Sequence, residues 1–176
     1  MDVSLTHLPP ELLAEIFSYL STKDLARNIC LVSHQFKDIS QNSSLWTNLE
    51  IKSNKLNAKT ASSLFARCFL LKKLELMWHP TPIYIQALNV CHRLQCLKVV
   101  VDDDITDLME AIHGAPAMRE LSLKGFWNPK QLSERAECLA QLTHIKLQHY
   151  NTLMDTKSLI AIGEHCKNLK ELRLCT

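Results

Sequence analysis

Glycine is scarce in this chain, with 3 glycines among 176 residues. So few glycines argue against phosphate-cradling loops and against sandwiches built on many tight turns. Long apolar runs are also missing: the longest have four residues, such as 68–71, which is far too short to cross a bilayer. The N-terminus has neither a basic stretch nor an apolar stretch behind it, so we expect no secretory signal.

An excess of charge of either sign is absent as well. Lysine and arginine number 20 and aspartate and glutamate 18, a net charge of +2, which favours neither a nucleic-acid nor a membrane partner. Apolar residues make up 47% of the chain and charged residues 22%, so a packed core is readily supplied. The seven cysteines are odd in number and lack the spacing of a disulfide framework, which predicts reduced thiols in the cytoplasm, the nucleus or both.

The first 48 residues or so have apolar residues at helical spacing. Pro9-Pro10 can start a helix that carries Leu12, Leu13, Ile16, Phe17 and Leu20 on one broad side. Ser21-x-x-Asp24 is typical of a helix cap, and a second stripe follows at Leu25, Ile29, Val32, Phe36 and Ile39, with a break predicted near Val32-Ser33. A unit this small buries little surface by itself, so we interpret it as a three-helix docking module that leans on a neighbour.

The rest of the chain repeats one pattern: an apolar residue, two others, an apolar residue, one other, and an apolar residue. The copies are 71-74-76, 94-97-99, 118-121-123, 142-145-147 and 169-172-174, with a looser copy at 46-49-51. Their middle positions follow at intervals of 25, 23, 24, 24 and 27 residues. Such regular spacing is not expected by chance and indicates a repeat architecture.

Each repeat predicts a strand followed by a loop and a helix. The alternation that ends each triplet is typical of a strand with two side chains in the core and one between them facing outward. Thr81-Pro82 and Asn128-Pro129 are helix-start signals, and the acidic run 102–104 suits a helix N-terminus. Units of this size must stack to bury their apolar faces, so we predict a parallel, curved sheet.

This leucine spacing resembles the leucine-rich repeat. The resemblance implies an α/β solenoid over 49–176 with about five repeats. The Asn or Cys that usually caps the repeat loop is replaced by His79, Asp102, Phe126 and Tyr150. The sequence ends directly after a predicted strand at 175–176, so we expect a repeat array without a C-terminal cap.

The N-terminal module, assigned to 1–48, resembles the F-box. The matching segments are 8–13 (LPPELL), 16–21 (IFSYLS), 24–27 (DLAR), 30–33 (CLVS), Phe36 and 44–46 (SLW). The resemblance implies docking on the Skp-type adaptor of a cullin–RING ubiquitin ligase. It also implies contact with that adaptor, or immediate support of the contact, by Leu8, Pro9, Leu12, Leu13, Ile16, Phe17, Leu20, Leu25, Leu31 and Val32. The alternative from the pattern alone is that these residues are the core of a small helical cap.

The residues between the anchors are the candidates for binding a target protein. One column contains Glu75, Lys98, Ser122, Lys146 and Arg173, and its neighbour contains Lys73, Cys96, Glu120, His144 and Glu171. Lys98, Lys146 and Arg173 could meet an acidic or phosphorylated segment. Trp78, Trp127 and Tyr150 could form an aromatic rim beyond the strands. Each set has an alternative interpretation. The polar residues of the columns are then ordinary solvated positions, and the aromatic residues are loop anchors that pack under their neighbours.

Catalytic and metal chemistry find no support in the sequence. Cys68, Cys91 and Cys166 share a repeat position with Ala115 and Leu139, which predicts a small core site and not a ligand. We therefore expect no metal, no cofactor and no enzymatic activity. The α+β chain is interpreted as a substrate-recognition subunit of a Skp–cullin–F-box ligase that directs a target protein to ubiquitination and proteasomal degradation. The alternative is a cullin-independent interaction scaffold.

Overall fold

The structure is a computed structural model that describes residues 5–52, 58–77, 81–102, 104–150 and 154–175. Its helices are α1 (Pro10–Ser18), α2 (Thr22–Arg27), α3 (His34–Ser40), α4 (Ala58–Arg67), α5 (Thr81–Val90), α6 (Thr106–His113), α7 (Pro129–Glu134) and α8 (Thr156–His165). Its strands are β1 (Asn48–Ile51), β2 (Lys73–Leu76), β3 (Cys96–Val101), β4 (Glu120–Gly125), β5 (His144–His149) and β6 (Glu171–Cys175). Short 3-10 turns lie at Leu5–His7, Ile29–Leu31, Ser43–Leu45 and Ala136–Leu139.

Side-chain caps begin several helices where the sequence predicts them. The Ser21 hydroxyl accepts a hydrogen bond from the Asp24 amide at 3.1 Å, which starts α2. Asn128 likewise caps α7 ahead of Pro129. The predicted break near Val32-Ser33 is confirmed, because a 3-10 turn ends at Leu31 and Ser33 caps α3.

The six strands form one parallel sheet in chain order, β1 to β6. The register pairs the predicted middle anchors directly across the sheet: Leu49, Leu74, Leu97, Leu121, Ile145 and Leu172. The residues that recur at these intervals in the sequence are therefore the ones that pair across neighbouring strands. The prediction of parallel strands alternating with helices is confirmed.

Backbone hydrogen bonds join each repeat to the next in the same way. The carbonyl of Thr47 accepts the amides of Lys72 and Lys73, at 2.8 and 3.0 Å. The carbonyls at the equivalent positions, 72, 95, 119 and 143, each accept two amides of the following repeat. Since these bonds involve no side chain, the sequence can vary at these positions without loss of the connection.

The sheet has one covered face and one open face. The covered face carries the anchor leucines of the strands and packs against α4 to α8 through Phe65, Ala87, Leu108, Leu132 and Ile162. The open face carries the residues between the anchors, which are half-buried or exposed. β6 is the edge strand at the C-terminal side of the sheet, and its anchors Leu172 and Leu174 are 36% and 47% exposed.

A second, smaller core lies within α1 to α3 and the 3-10 turn Ser43–Leu45. It contains Leu13, Phe17, Leu25, Phe36 and Leu45. The rings of Phe17 and Phe36 meet edge to face with centroids 5.1 Å apart. Trp46 packs against both cores, and its indole N–H donates to the Ser40 carbonyl at 2.7 Å. The Trp46 side chain therefore connects the helical module to the sheet, in addition to the backbone connection.

Gly125 at the end of β4 is required by the approach of the neighbouring strand. Its φ is +129°, and a Cβ there would lie 1.9 Å from the Val101 carbonyl oxygen. An added Cβ at Gly163 in α8 would meet no atom of the described residues within 4 Å apart from its own stretch of helix. We expect Gly125→Ala to lower the free energy of unfolding by about 1–3 kcal/mol or more, and Gly163→Ala to raise it by about 0.5–1 kcal/mol. Urea denaturation of both variants measures the difference, and equal effects would contradict this packing.

Candidate functional site

The predicted docking residues of the helical module separate into a buried and an exposed group. Leu13, Phe17 and Leu25 are in the small core, and Leu8 is half-buried against it. The exposed group contains Pro9, Leu12, Ile16, Leu20, Leu31 and Val32. The sequence assigned both groups to the contact or its support, and the structure separates the two roles.

Leu13, Phe17 and Leu25 are at most 2% exposed, so of the two predicted roles, contact or support of the contact, their burial favours support. Apolar periodicity identified a broad apolar side of α1 but could not divide it between core and surface. The three buried side chains therefore hold α1 and α2 in place, and the exposed residues beside them form the surface. We call the exposed set Leu12, Ile16, Leu20, Leu31 and Val32 the apolar docking face, after the role that the sequence predicts for these residues.

Sequence reasoning missed two exposed apolar residues. Tyr19, at the C-terminal end of α1, is 84% exposed, and Leu5 in the first 3-10 turn is 54% exposed. Tyr19 follows Leu12 and Ile16 at helical spacing, so periodicity could have placed it on the same side of α1. Several large apolar side chains exposed within one small module are typical of an interaction site.

The open sheet face brings the predicted target-binding residues together. The register places Glu75, Lys98, Ser122, Lys146 and Arg173 in one row across the strands. Lys73, Cys96, Glu120, His144 and Glu171 form the neighbouring row. Residues of both rows line a groove of about 610 Å³. The columns read from the sequence thus form one continuous surface.

Some of the cations on the open sheet face form ion pairs with neighbouring carboxylates of the described residues and others do not. The Lys98 ammonium lies 3.4 Å from a carboxylate oxygen of Glu75. Arg173 pairs with Glu171 on the same strand. Of the three cations proposed from the sequence to meet an acidic segment, Lys98 and Arg173 therefore already have carboxylate partners, and Lys146 has no ion pair within the described residues.

The aromatic rim differs from the sequence prediction. Trp127 is buried, at 5% exposure, and its ring meets that of His149 with centroids 4.8 Å apart, so it is a loop anchor. Tyr150 is half-exposed and packs edge to face on Phe126 at 5.0 Å. Trp78 lies outside the described residues. The exposed aromatic pair beyond the strands is therefore Phe126 with Tyr150.

The cysteines at the repeat position take part in packing. Cys68, Cys91 and Cys166 are buried, and the thiols of Cys91 and Cys166 point at carbonyl oxygens of the preceding repeat, those of Cys68 and Leu139, at 3.6 and 3.5 Å. In the part of the chain that the structure describes, no three His, Cys, Asp or Glu side chains come together as metal ligands. None of the helices in those ranges is long and apolar enough to cross a membrane.

Stability measurements separate the core from the docking face. Phe17→Ala removes a buried ring and should lower the free energy of unfolding by about 3–5 kcal/mol. Leu31 is 80% exposed, so Leu31→Ala should change it by no more than about 0.5 kcal/mol. Urea unfolding followed by circular dichroism measures both. A large loss from the Leu31 variant would mean that this side chain is structural.

Thiol labelling tests the packing of the cysteines. Burial raises the pKa of the Cys68 thiol to about 12 and that of Cys91 to about 11. A raised pKa keeps the thiol protonated at neutral pH, and only the thiolate reacts with iodoacetamide. We expect mass spectrometry to find both cysteines unlabelled in the folded chain and labelled in urea. Rapid labelling of the folded chain would contradict their burial.

Comparison with known proteins identifies one part of the chain. No curated protein matches the sequence significantly. Residues 5–52 match the family model of the F-box-like domain. The match covers α1 to α3 and the apolar docking face, and it extends past residue 48 to include β1. The N-terminal unit of this chain is therefore an F-box-like domain.

Proposed function

We propose that this protein is a substrate-recognition subunit of a Skp–cullin–F-box ubiquitin ligase. The F-box-like domain docks on the Skp-type adaptor, and the open sheet face holds the protein to be ubiquitinated and degraded by the proteasome. The observation that carries this proposal is the coincidence of the F-box-like match at 5–52 with the exposed apolar docking face.

The docking face has the chemistry that a helix-binding groove requires. F-box domains commonly bind Skp-type adaptors and are typically adaptor modules without catalytic activity. Leu12 and Ile16 are 47% and 40% exposed, one helical turn apart on α1. Burying such side chains in a partner contributes about 25 cal/mol for each Å² of apolar surface removed from water. A partner with a complementary apolar groove would cover them.

The array behind this domain is proposed to consist of leucine-rich repeats. Support comes from the in-register anchor leucines, the parallel strand order and the repeated backbone hydrogen bonds between units. Repeat arrays offer an extended surface on which successive strands place side chains in rows. The open face with its groove is the natural position for the target protein.

In this proposal the chain positions the target protein and does not itself catalyse ubiquitin transfer. Other subunits of the ligase transfer ubiquitin, and the receptor raises the rate by holding the acceptor lysine of the target near the transfer site. Two separate surfaces on one chain suit that task. The docking face belongs to α1, Leu20 and the 3-10 turn after α2, and the binding face belongs to the sheet.

Affinity capture from cell extract tests the docking half of the proposal. The double variant Leu12→Asp, Ile16→Asp places charge on exposed positions, so the fold should be unchanged while the yield of Skp-type adaptor falls by about tenfold or more. Leu31→Asp tests whether the 3-10 turn belongs to the same surface. Ile160→Asp on α8, where Ile160 is 55% exposed, is the matched control and should capture as much adaptor as the original chain.

Three outcomes distinguish the possibilities. Capture of adaptor together with a cullin, lost in the double variant, supports the ligase receptor. Capture of adaptor without a cullin overturns that function in favour of a cullin-independent scaffold. If the folded chain captures no adaptor, the docking proposal is wrong.

A further inference from the structure

The ion pairs of the open sheet face lie toward its ends. Glu75 neutralises Lys98 toward one end, and Glu171 neutralises Arg173 on the edge strand β6. Glu120 pairs with Cys96 in the register of β3 and β4, and burial, followed by the nearby Glu120 carboxylate, raises the pKa of the Cys96 thiol to about 11. Of the acidic side chains that line the groove, Glu75 and Glu171 thus have cationic partners on the same surface.

Two lysines on the central strands β4 and β5 have no such partner. Neither Lys124 nor Lys146 forms an ion pair with a carboxylate of the described residues. Lys146 is exposed, and the register places it beside Ser122, which has Lys98 on its other side. Lys124 lies on the same face, because it is two residues beyond Ser122 in β4. We call Ser122, Lys124 and Lys146 the lysine cluster.

An exposed aromatic pair adjoins the lysine cluster. The Lys124 ammonium lies 5.6 Å from the centroid of the Tyr150 ring, within cation–π distance. Phe126 packs against Tyr150, and each of the two rings is more than two-fifths exposed. An apolar side chain of a ligand would find aromatic surface here, next to positive charge.

The spacing of the two unpaired lysines suits an extended peptide. Lys124 and Lys146 are one strand and two residues apart, so their Cα atoms are separated by roughly 8 Å. Residues i and i+2 of an extended chain are about 7 Å apart and point to the same side. Anionic groups at alternate positions of such a chain can therefore each meet one ammonium group.

We propose that the lysine cluster and the Phe126–Tyr150 pair bind an extended anionic segment of the target protein, with acidic groups at alternate positions followed by an apolar side chain. The anionic groups are glutamate or aspartate carboxylates or phosphates on serine, which share this chemistry. The proposal rests on the assignment of the open face as the substrate surface. Among the cations expected from the sequence it keeps Lys146 and adds Lys124, because Glu75 holds Lys98 and Glu171 holds Arg173.

Fluorescence anisotropy with synthetic peptides tests the proposal on the full chain. The first probe is a fluorescein-labelled peptide with two glutamates separated by one glycine and a leucine two positions later. Phosphoserine replaces both glutamates in the second probe, and glutamine replaces them in the third. We expect the glutamate or the phosphoserine peptide to bind at least about tenfold more tightly than the glutamine peptide, with an affinity that falls as salt is added.

Charge reversal locates the site. Lys146→Glu and Lys124→Glu should each weaken binding of the anionic peptide by about tenfold or more. Lys59→Glu, at an exposed position in the first turn of α4 on the helix layer, is the matched control and should leave binding unchanged. Equal affinities for the three peptides, or equal losses in the cluster and control variants, would overturn the proposal.

Failure of this proposal is distinguishable from failure of the proposed function. Lys146→Glu lies outside the F-box-like domain, so it should capture the Skp-type adaptor as well as the original chain does. Normal adaptor capture without anionic peptide binding would remove only this substrate class. If the chain binds the anionic peptide but captures no adaptor, the ligase role is wrong and the peptide site on the open sheet face is still supported.

Discussion

The two amides that each repeat donates to one carbonyl of the repeat before it fix the sheet. These bonds start every strand pair at an equivalent residue, from Thr47 to Thr143, and thereby set the register. With the register fixed, the anchor leucines stack in a continuous core and the intervening residues form straight rows on the other face. A shift of one residue would exchange the two faces, burying charges and exposing leucines, so the open face depends on these backbone bonds.

Turns before the strands repeat with the same regularity. The amide of the first anchor in each repeat, such as Leu94, donates to the carbonyl of the cysteine, alanine or leucine three residues earlier. The neighbouring repeat packs directly on that residue, which leaves room only for a modest side chain. Packing thus explains why Cys68 and Cys91 alternate with Ala115 and Leu139 without any need for metal or redox chemistry.

Much of this fold was predictable from the sequence because it follows from periodicity. The spacing of the leucines gave the strand order and register, and the motif at 8–46 indicated the F-box-like domain that the family match supports. Which apolar residues of the helical module are buried and which are exposed was not predictable. Leu12 and Leu13 are adjacent and equally apolar, and only the packing of α1 on α3 buries one and exposes the other.

Residue-specific contacts also lay beyond the sequence. Trp127 and Tyr150 both follow strands, yet Trp127 packs inward on His149 and Tyr150 outward on Phe126. The pairing of Arg173 with Glu171 depends on a strand in which alternate residues share a face, and periodicity does not say which charges will meet. The need for glycine at 125 arises from the Val101 carbonyl of a different repeat, which no local pattern records.

Trp46 gives the molecule a mechanical property that neither unit has alone. Because its ring belongs to both cores and its indole N–H is held by the Ser40 carbonyl, bending between the F-box-like domain and the sheet would open apolar contacts on two sides. The packing of Trp46 therefore opposes bending between the two units. With a target protein on the sheet and an adaptor on the helices, as proposed, resistance to bending would keep the two within a small volume. Their effective concentration relative to each other would then rise.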